Sequence, residues 1–250
     1  MSSIVSVSTA QPLLSSNDSA VLQALFDAES SPASAVTIDH ALPPLPCIPA
    51  DGNLEALKAR EVYAIRQLQH DSSREAIEGV IAELDAVITE NPSYPSAHVN
   101  RAQALRMLAE GGGHNDGNDG ESSLFLPENS DIATRLFADL DQAITLTRPS
   151  SPTSPISPLQ ARILADAHTH RGYLLLKAAK IEPEKRKQGG LVWLQRLESD
   201  QLEQMASVDF FSGGRYGNKA AQQLAVQTNP YAKMCGAIVR EAMRKEVEGG

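Results

Sequence analysis

Cysteine is nearly missing from these 250 residues: Cys47 and Cys235 are far apart and in unlike contexts. That excludes a disulfide framework and makes the reducing cytosol or nucleus the expected compartment. Aromatic residues are scarce too, at 4% with a single Trp, which disfavours a β-sandwich or barrel built on β-branched and aromatic side chains. No Lys or Arg precedes Lys58, so neither a secretory n-region nor an Arg-rich transit peptide is expected. No hydrophobic run approaches the roughly 18 residues of a membrane span. The expectation is a soluble cytoplasmic protein with no membrane partner, the nucleus also being open to it.

The charge that is present is lopsided. The net charge is -9, from 31 acidic residues against 22 Lys plus Arg. Residues 1–57 carry six acids and residues 109–130 carry five, with no Lys or Arg in either stretch. The remainder is close to neutral. This balance argues against nucleic acid, whose phosphates need clustered cations, and says little about any other ligand.

Residues 1–52 are rich in Ser and Pro and read as a largely disordered arm. One island, a short helix over 18–27 behind the cap Ser16-Asn17-Asp18, puts Val21, Leu22, Leu25 and Phe26 on one face. Such a face docks on its own fold or on a partner.

From Asn53 the pattern is helical: 54–70, 74–90, 94–109, 131–146, 159–180, 191–208, 218–227 and 230 to about 246. Breaks are expected at Asn91-Pro92, Gly111-Gly112-Gly113, Pro149–Pro158, Gly189-Gly190 and Gly213-Gly214. No segment alternates with period two, so the class is all-α.

Inside this run lies a repeat. His98, Arg101, Ala102 and Leu105 recur at the same spacing as His168, Arg171, Gly172 and Leu175. That is the frame of a tetratricopeptide first helix, in which the small residue lets two helices of a hairpin approach closely. Leu136, Leu140 and Ala143, then Leu202 and Met205, supply second-helix frames. A looser unit runs upstream through Leu84, Val87 and Pro92, with Ala64 as its small residue. Three hairpins over 53–215 follow, with a disordered insert at 109–130, a second insert around 182–195 and capping helices over 216–250. Long inserts at hairpin tips cost little, because loop-closure entropy grows slowly with length.

Three separated blocks carry a family resemblance. They are Asn17-Asp-Ser-Ala-Val-Leu-Gln-Ala-Leu-Phe26, Ala97-His-Val-Asn-Arg-Ala-Gln-Ala104 and Thr228-Asn-Pro-Tyr-Ala-Lys-Met-Cys235. In that order they resemble the tetratricopeptide repeat protein 36 family. The departures are the acidic 109–130 insert, the 149–158 insert and the poorly matching first repeat. The resemblance implies a small non-enzymatic three-repeat adaptor, a DnaK-class heat-shock chaperone as partner, and a link to tyrosine metabolism.

The residues themselves speak against the carboxylate clamp that many chaperone-binding repeats use. Asn100 fits the second-repeat position of that clamp, but Glu61, Ile65, Asp166 and His170 stand where Lys, Asn or Arg is needed. Glu61 and Asp166 would repel a peptide carboxylate. The candidate protein-binding residues of the groove are Asn100, Gln103, Asp166 and His170.

No catalytic residue, cofactor or metal site is expected. His168 and His170 point about 200° apart on a helix and cannot share a metal, and the 115–126 stretch lacks the Glu that a calcium loop requires. No phosphate-binding loop or dinucleotide fingerprint occurs. Arg101 and Arg171 read as structural, Lys185-Arg186-Lys187 as a solvated loop, and the Ser151, Ser154 and Ser157 Ser-Pro steps as candidate phosphorylation sites. The expected function is a protein-binding adaptor or co-chaperone-like scaffold. The alternatives are an enzyme with an unrecognised site, or a scaffold whose groove is regulated by the helix at 18–27.

Overall fold

Side-chain caps begin the helices where the sequence places its breaks. Ser73 accepts the Ala76 amide, and Asn218 accepts the Ala221 amide. Ser157 and Gln160 form a reciprocal capping box, with Pro158 in the first turn where its missing N–H is harmless. A computed structural model describes residues 36–48, 53–70, 72–111, 120–189, 191–229 and 244. Its principal helices are α1 (Leu54–His70), α2 (Arg74–Glu90), α3 (Pro95–Ala109), α4 (Ser130–Thr147), α5 (Pro158–Lys180), α6 (Ser199–Arg215) and α7 (Lys219–Thr228).

The class is all-α; the described residues hold no strand beyond one isolated bridge between Ile38 and Ile156. Each helix packs on the next in sequence, and α3 also meets α5. The pairs α1/α2, α3/α4 and α5/α6 therefore form three successive hairpins, with α7 against the last. Leu84, Ala102, Leu136, Leu140, Leu175, Leu202 and Phe210 fill the space between them. None of the described helices is long and apolar enough to cross a membrane.

Close approach is decided by small residues. A Cβ on Gly172 would lie 3.1 Å from the Ala206 carbonyl oxygen and from Phe210, so α5 and α6 meet at that glycine. The expected break at Gly213-Gly214 is absent, and α6 runs on to Arg215. A Cβ on Gly213 would lie 2.6 Å from Thr169 Oγ1 and 3.2 Å from Ala221 Cβ. These glycines admit α5 and α7 rather than stopping the helix. The single helix expected over 191–208 is instead interrupted, because Glu198 and Gln201 form a capping box that starts α6 afresh after a one-turn helix at Val192–Gln195.

Three stretches read as arm, insert or loop are built into the body. In the expected arm, Leu45 is 2% exposed, Ile156 donates its amide to the Thr37 carbonyl, and Ser157 Oγ donates to the Pro44 carbonyl. The disordered reading of 1–52 thus does not hold for 36–48. Burial of Ser157 also removes it as a phosphorylation site in the folded chain. In the 109–130 insert, residues 120–129 form two short 3-10 helices that bury Leu124 and Phe125. Gly189 packs against Leu126 and Pro127, and Trp193 meets Phe137 edge-on at 5.6 Å. Arg186, read as part of a solvated loop, is buried and donates to the Ala178, Ile181 and Leu197 carbonyls, closing the end of α5. The expected helices at 18–27 and from 230 to about 246 lie outside the described residues.

Candidate functional site

The repeated His and Arg residues face between helices. His98 Nδ1 lies 2.8 Å from Asp139 Oδ1, and Arg101 Nε donates to Asp139 Oδ2 at 2.8 Å. Arg101 also reaches back to Asp85 on α2 at 2.8 Å. The next hairpin repeats this with His168 and Arg171 on Asp209, both at 2.8 Å, while Arg171 reaches back to Asp141 on α4. The separations are the same 41 and 38 residues in both units. A carboxylate only accepts, so each imidazole donates from Nδ1.

Burial alone would raise the carboxyls of Asp139 and Asp209. The histidine and arginine hydrogen bonds outweigh it and hold both below the ordinary aspartate range. His98 Nε2 faces the Pro92 carbonyl at 3.5 Å, and the His168 ring stacks on Tyr216. These groups tie each first helix to its own partner helix and to the preceding hairpin, the structural role read for the two arginines. The first hairpin keeps the position but changes the chemistry. Arg60, four residues before buried Ala64, pairs with Glu83, which precedes Leu84 as Asp139 precedes Leu140.

Of the candidate groove residues, Asn100 and Gln103 lie on α3, and Asp166 and His170 on α5. Asn100 donates its amide to Glu61 on α1, which is 5% exposed and also accepts the Tyr94 hydroxyl at 2.7 Å. Burial, then the Glu61 charge, pushes the Tyr94 phenol well above its usual range, so it stays a donor. Gln103 is half-buried within α3. Asp166 is exposed at the surface, yet the protein around it displaces enough water to raise its carboxyl, opposed by Arg162.

His170 Nε2 is buried without a hydrogen-bond partner, as is Arg106 Nε. Desolvation, reinforced by the Arg106 charge, drives the His170 pKa down to about 3, so the ring is neutral. In the 70-residue register of the repeat, His170 is the counterpart of Asn100 and Tyr173 that of Gln103. The candidates thus share one face, formed by the first helices. Among the described residues no hydrogen bond or ion pair joins the α3 pair to the α5 pair.

Sequence reading missed the rest of that face. Lys177 Nζ lies 4.4 Å and Arg106 Cζ 5.8 Å from the centre of the Tyr173 ring, and Glu110 is within 4 Å of both cations. The only signal would have been the register itself, which puts Tyr173 opposite Gln103. The same offset would have revealed Asp139 and Asp209. Among the described residues no cluster of His, Cys, Asp or Glu is arranged to hold a metal.

No protein-family model matches this chain, and no solved structure matches it. A curated protein of Aspergillus fumigatus, the L-tyrosine degradation gene cluster protein hmgX, is 59% identical over 256 residues, spanning all of this chain and 99% of the relative. The chain belongs to the hmgX family. That name differs from the tetratricopeptide repeat protein 36 family that the sequence blocks resemble. The hmgX relative nonetheless carries the tyrosine link which that resemblance implied. The match covers the whole chain, both inserts included.

Proposed function

We propose that this protein is a non-enzymatic adaptor serving L-tyrosine degradation, which holds a partner protein on the face formed by α1, α3 and α5. The hairpins are of tetratricopeptide type in this reading, and the chain is an hmgX-family counterpart of the tetratricopeptide repeat protein 36 group. The observation that carries it is the division of labour among the polar residues. The His–Arg–Asp groups join each first helix to second helices, while Gln103, Asp166 and the Arg106–Tyr173–Lys177 contacts lie on the first helices themselves. The name of the hmgX relative supplies the pathway.

A DnaK-class chaperone is the partner that the repeat resemblance implies, but its terminal carboxylate is a poor fit. The Glu61 carboxylate already takes the Asn100 amide, the one clamp residue the sequence retains. Binding a second carboxylate there would bury like charges together. The test is affinity purification with mass spectrometry from cells grown on L-tyrosine, comparing the intact chain with the Asn100→Ala/Gln103→Ala double variant. The expected result is a partner protein lost in the variant, and no calorimetric binding of a Glu-Glu-Val-Asp peptide. Identical partner lists would defeat the assignment of this face. Micromolar peptide affinity abolished by Asn100→Ala would reinstate the clamp.

A further inference from the structure

The second helices form a different surface, and the repeat shows where it is incomplete. Between α2 and α4 lies a cleft of about 230 Å³, floored by Leu105 of α3 and walled by Ile81 and Ile132. Arg135 of α4 lines it and pairs with the Asp85 carboxylate, the acceptor that Arg101 also uses. One carboxylate thus takes two guanidiniums, one from the first helix beneath and one from the second helix beside it.

The equivalent cleft between α4 and α6 is about 450 Å³, and Leu175 is the floor residue corresponding to Leu105. Asp141 holds the place of the shared acceptor and receives Arg171 from below, as Asp85 receives Arg101. The residue 70 positions after Arg135, however, is Met205. Among the described residues no second guanidinium reaches Asp141, which is 61% exposed against 39% for Asp85. The walls are apolar and open to solvent: Trp193 and Met205 are each 39% exposed and Val208 is 61% exposed, with Phe137 behind them.

We propose that this cleft binds a segment of a partner protein that presents an arginine flanked by apolar side chains. The arginine pairs with Asp141 as Arg135 pairs with Asp85, and the apolar neighbours cover Trp193, Met205 and Val208. Charge and shape argue together. The molecule itself shows what a carboxylate in this position takes, and the exposed apolar side chains around it are left for the segment's apolar neighbours to cover. Residues 1–35 cannot supply the cation, since they contain no Lys or Arg. This surface is formed by the second helices, so it is independent of the adaptor face proposed above.

Trp193 is the only tryptophan in the chain and lines the cleft, so its emission reports occupancy directly. The probe is the peptide acetyl-Ala-Ala-Leu-Arg-Leu-Ala-Ala-amide, titrated into the full-length protein beside a counterpart with Glu in place of Arg. The expected result is a blue shift of Trp193 emission, with the Arg peptide binding at least about tenfold more tightly than the Glu peptide. Met205→Arg, which supplies the missing guanidinium from within, should abolish the shift while leaving helix content and melting temperature unchanged or higher. Asp141→Asn, a near-isosteric change at an exposed site, should abolish the preference for Arg over Glu. Equal response to both peptides, no response to either, or an undiminished shift in both variants would overturn the proposal. So would a change in the resting Trp193 emission on Arg240→Glu, since the chain's own C-terminal segment would then be the occupant.

Discussion

At the scale of single residues, the buried carboxylates Asp139 and Asp209 are the groups on which most depends. Each satisfies a histidine and an arginine from another helix. Removing one such charge leaves its buried partners uncompensated, which typically costs about 3–5 kcal/mol. Asp139→Asn should therefore lower the urea unfolding midpoint steeply, whereas Asp141→Asn, at an exposed carboxylate, should not. Acid acts on the same groups. Their folded-state pKa values lie below the unfolded value near 3.9, so their contribution is complete above that pH and is lost as pH falls through the depressed values.

His170 acts in a higher window and in the same direction. The unfolded chain binds its proton below about pH 6.5 and the folded chain only near 3, so stability falls with pH across that interval. Urea titrations should show a decline beginning near pH 6.5 and steepening below pH 4. His170→Gln should remove the upper part alone.

At the scale of elements, the crossing of α5 with α6 hangs on one missing side chain. With neighbours 3.1 Å from the position a Cβ would take, Gly172→Leu should force the helices apart and cost about 1–3 kcal/mol, read as a fall in melting temperature. Ala102→Gly at the equivalent position of α3 should cost only about 0.5–1 kcal/mol, through helix propensity. Helix existence and type were legible in the sequence because the 3.6-residue pattern and the caps agree. The continuation of α6 through Gly213-Gly214 was not. A glycine pair reads locally as a stop, and only the arrival of Thr169 and Ala221 against it shows why small residues stand there.

At the scale of the whole molecule, segments that look dispensable are bound to the array. Leu45 is 2% exposed in the core although its segment reads as a Pro-rich arm. Leu45→Ala should cost about 2–5 kcal/mol as a buried Leu truncation does, and lower the midpoint of the single unfolding transition. If residues 36–48 were a loose strap, that midpoint would not move. Of the candidate site, the sequence supplied Asn100, Gln103, Asp166 and His170, which lie on the first helices α3 and α5. It missed Glu61 as the Asn100 acceptor and Tyr173 between two cations, because both contacts join helices far apart in the chain.

The sequence by itself determined the all-α class, the repeated His–Arg–small–Leu frame and most helix starts, because all of these follow from spacing within one helix or one cap. Only the tertiary structure decided what the frame is for. A hydrogen bond between residues 41 apart carries no local signature, so Asp139 and Asp209 became partners of the repeated histidines only when the helices were stacked. The open cleft at Trp193 has the same origin. Met205 in place of arginine is an ordinary helix residue until Asp141 is seen across from it, receiving one arginine among the described residues where its counterpart Asp85 receives two.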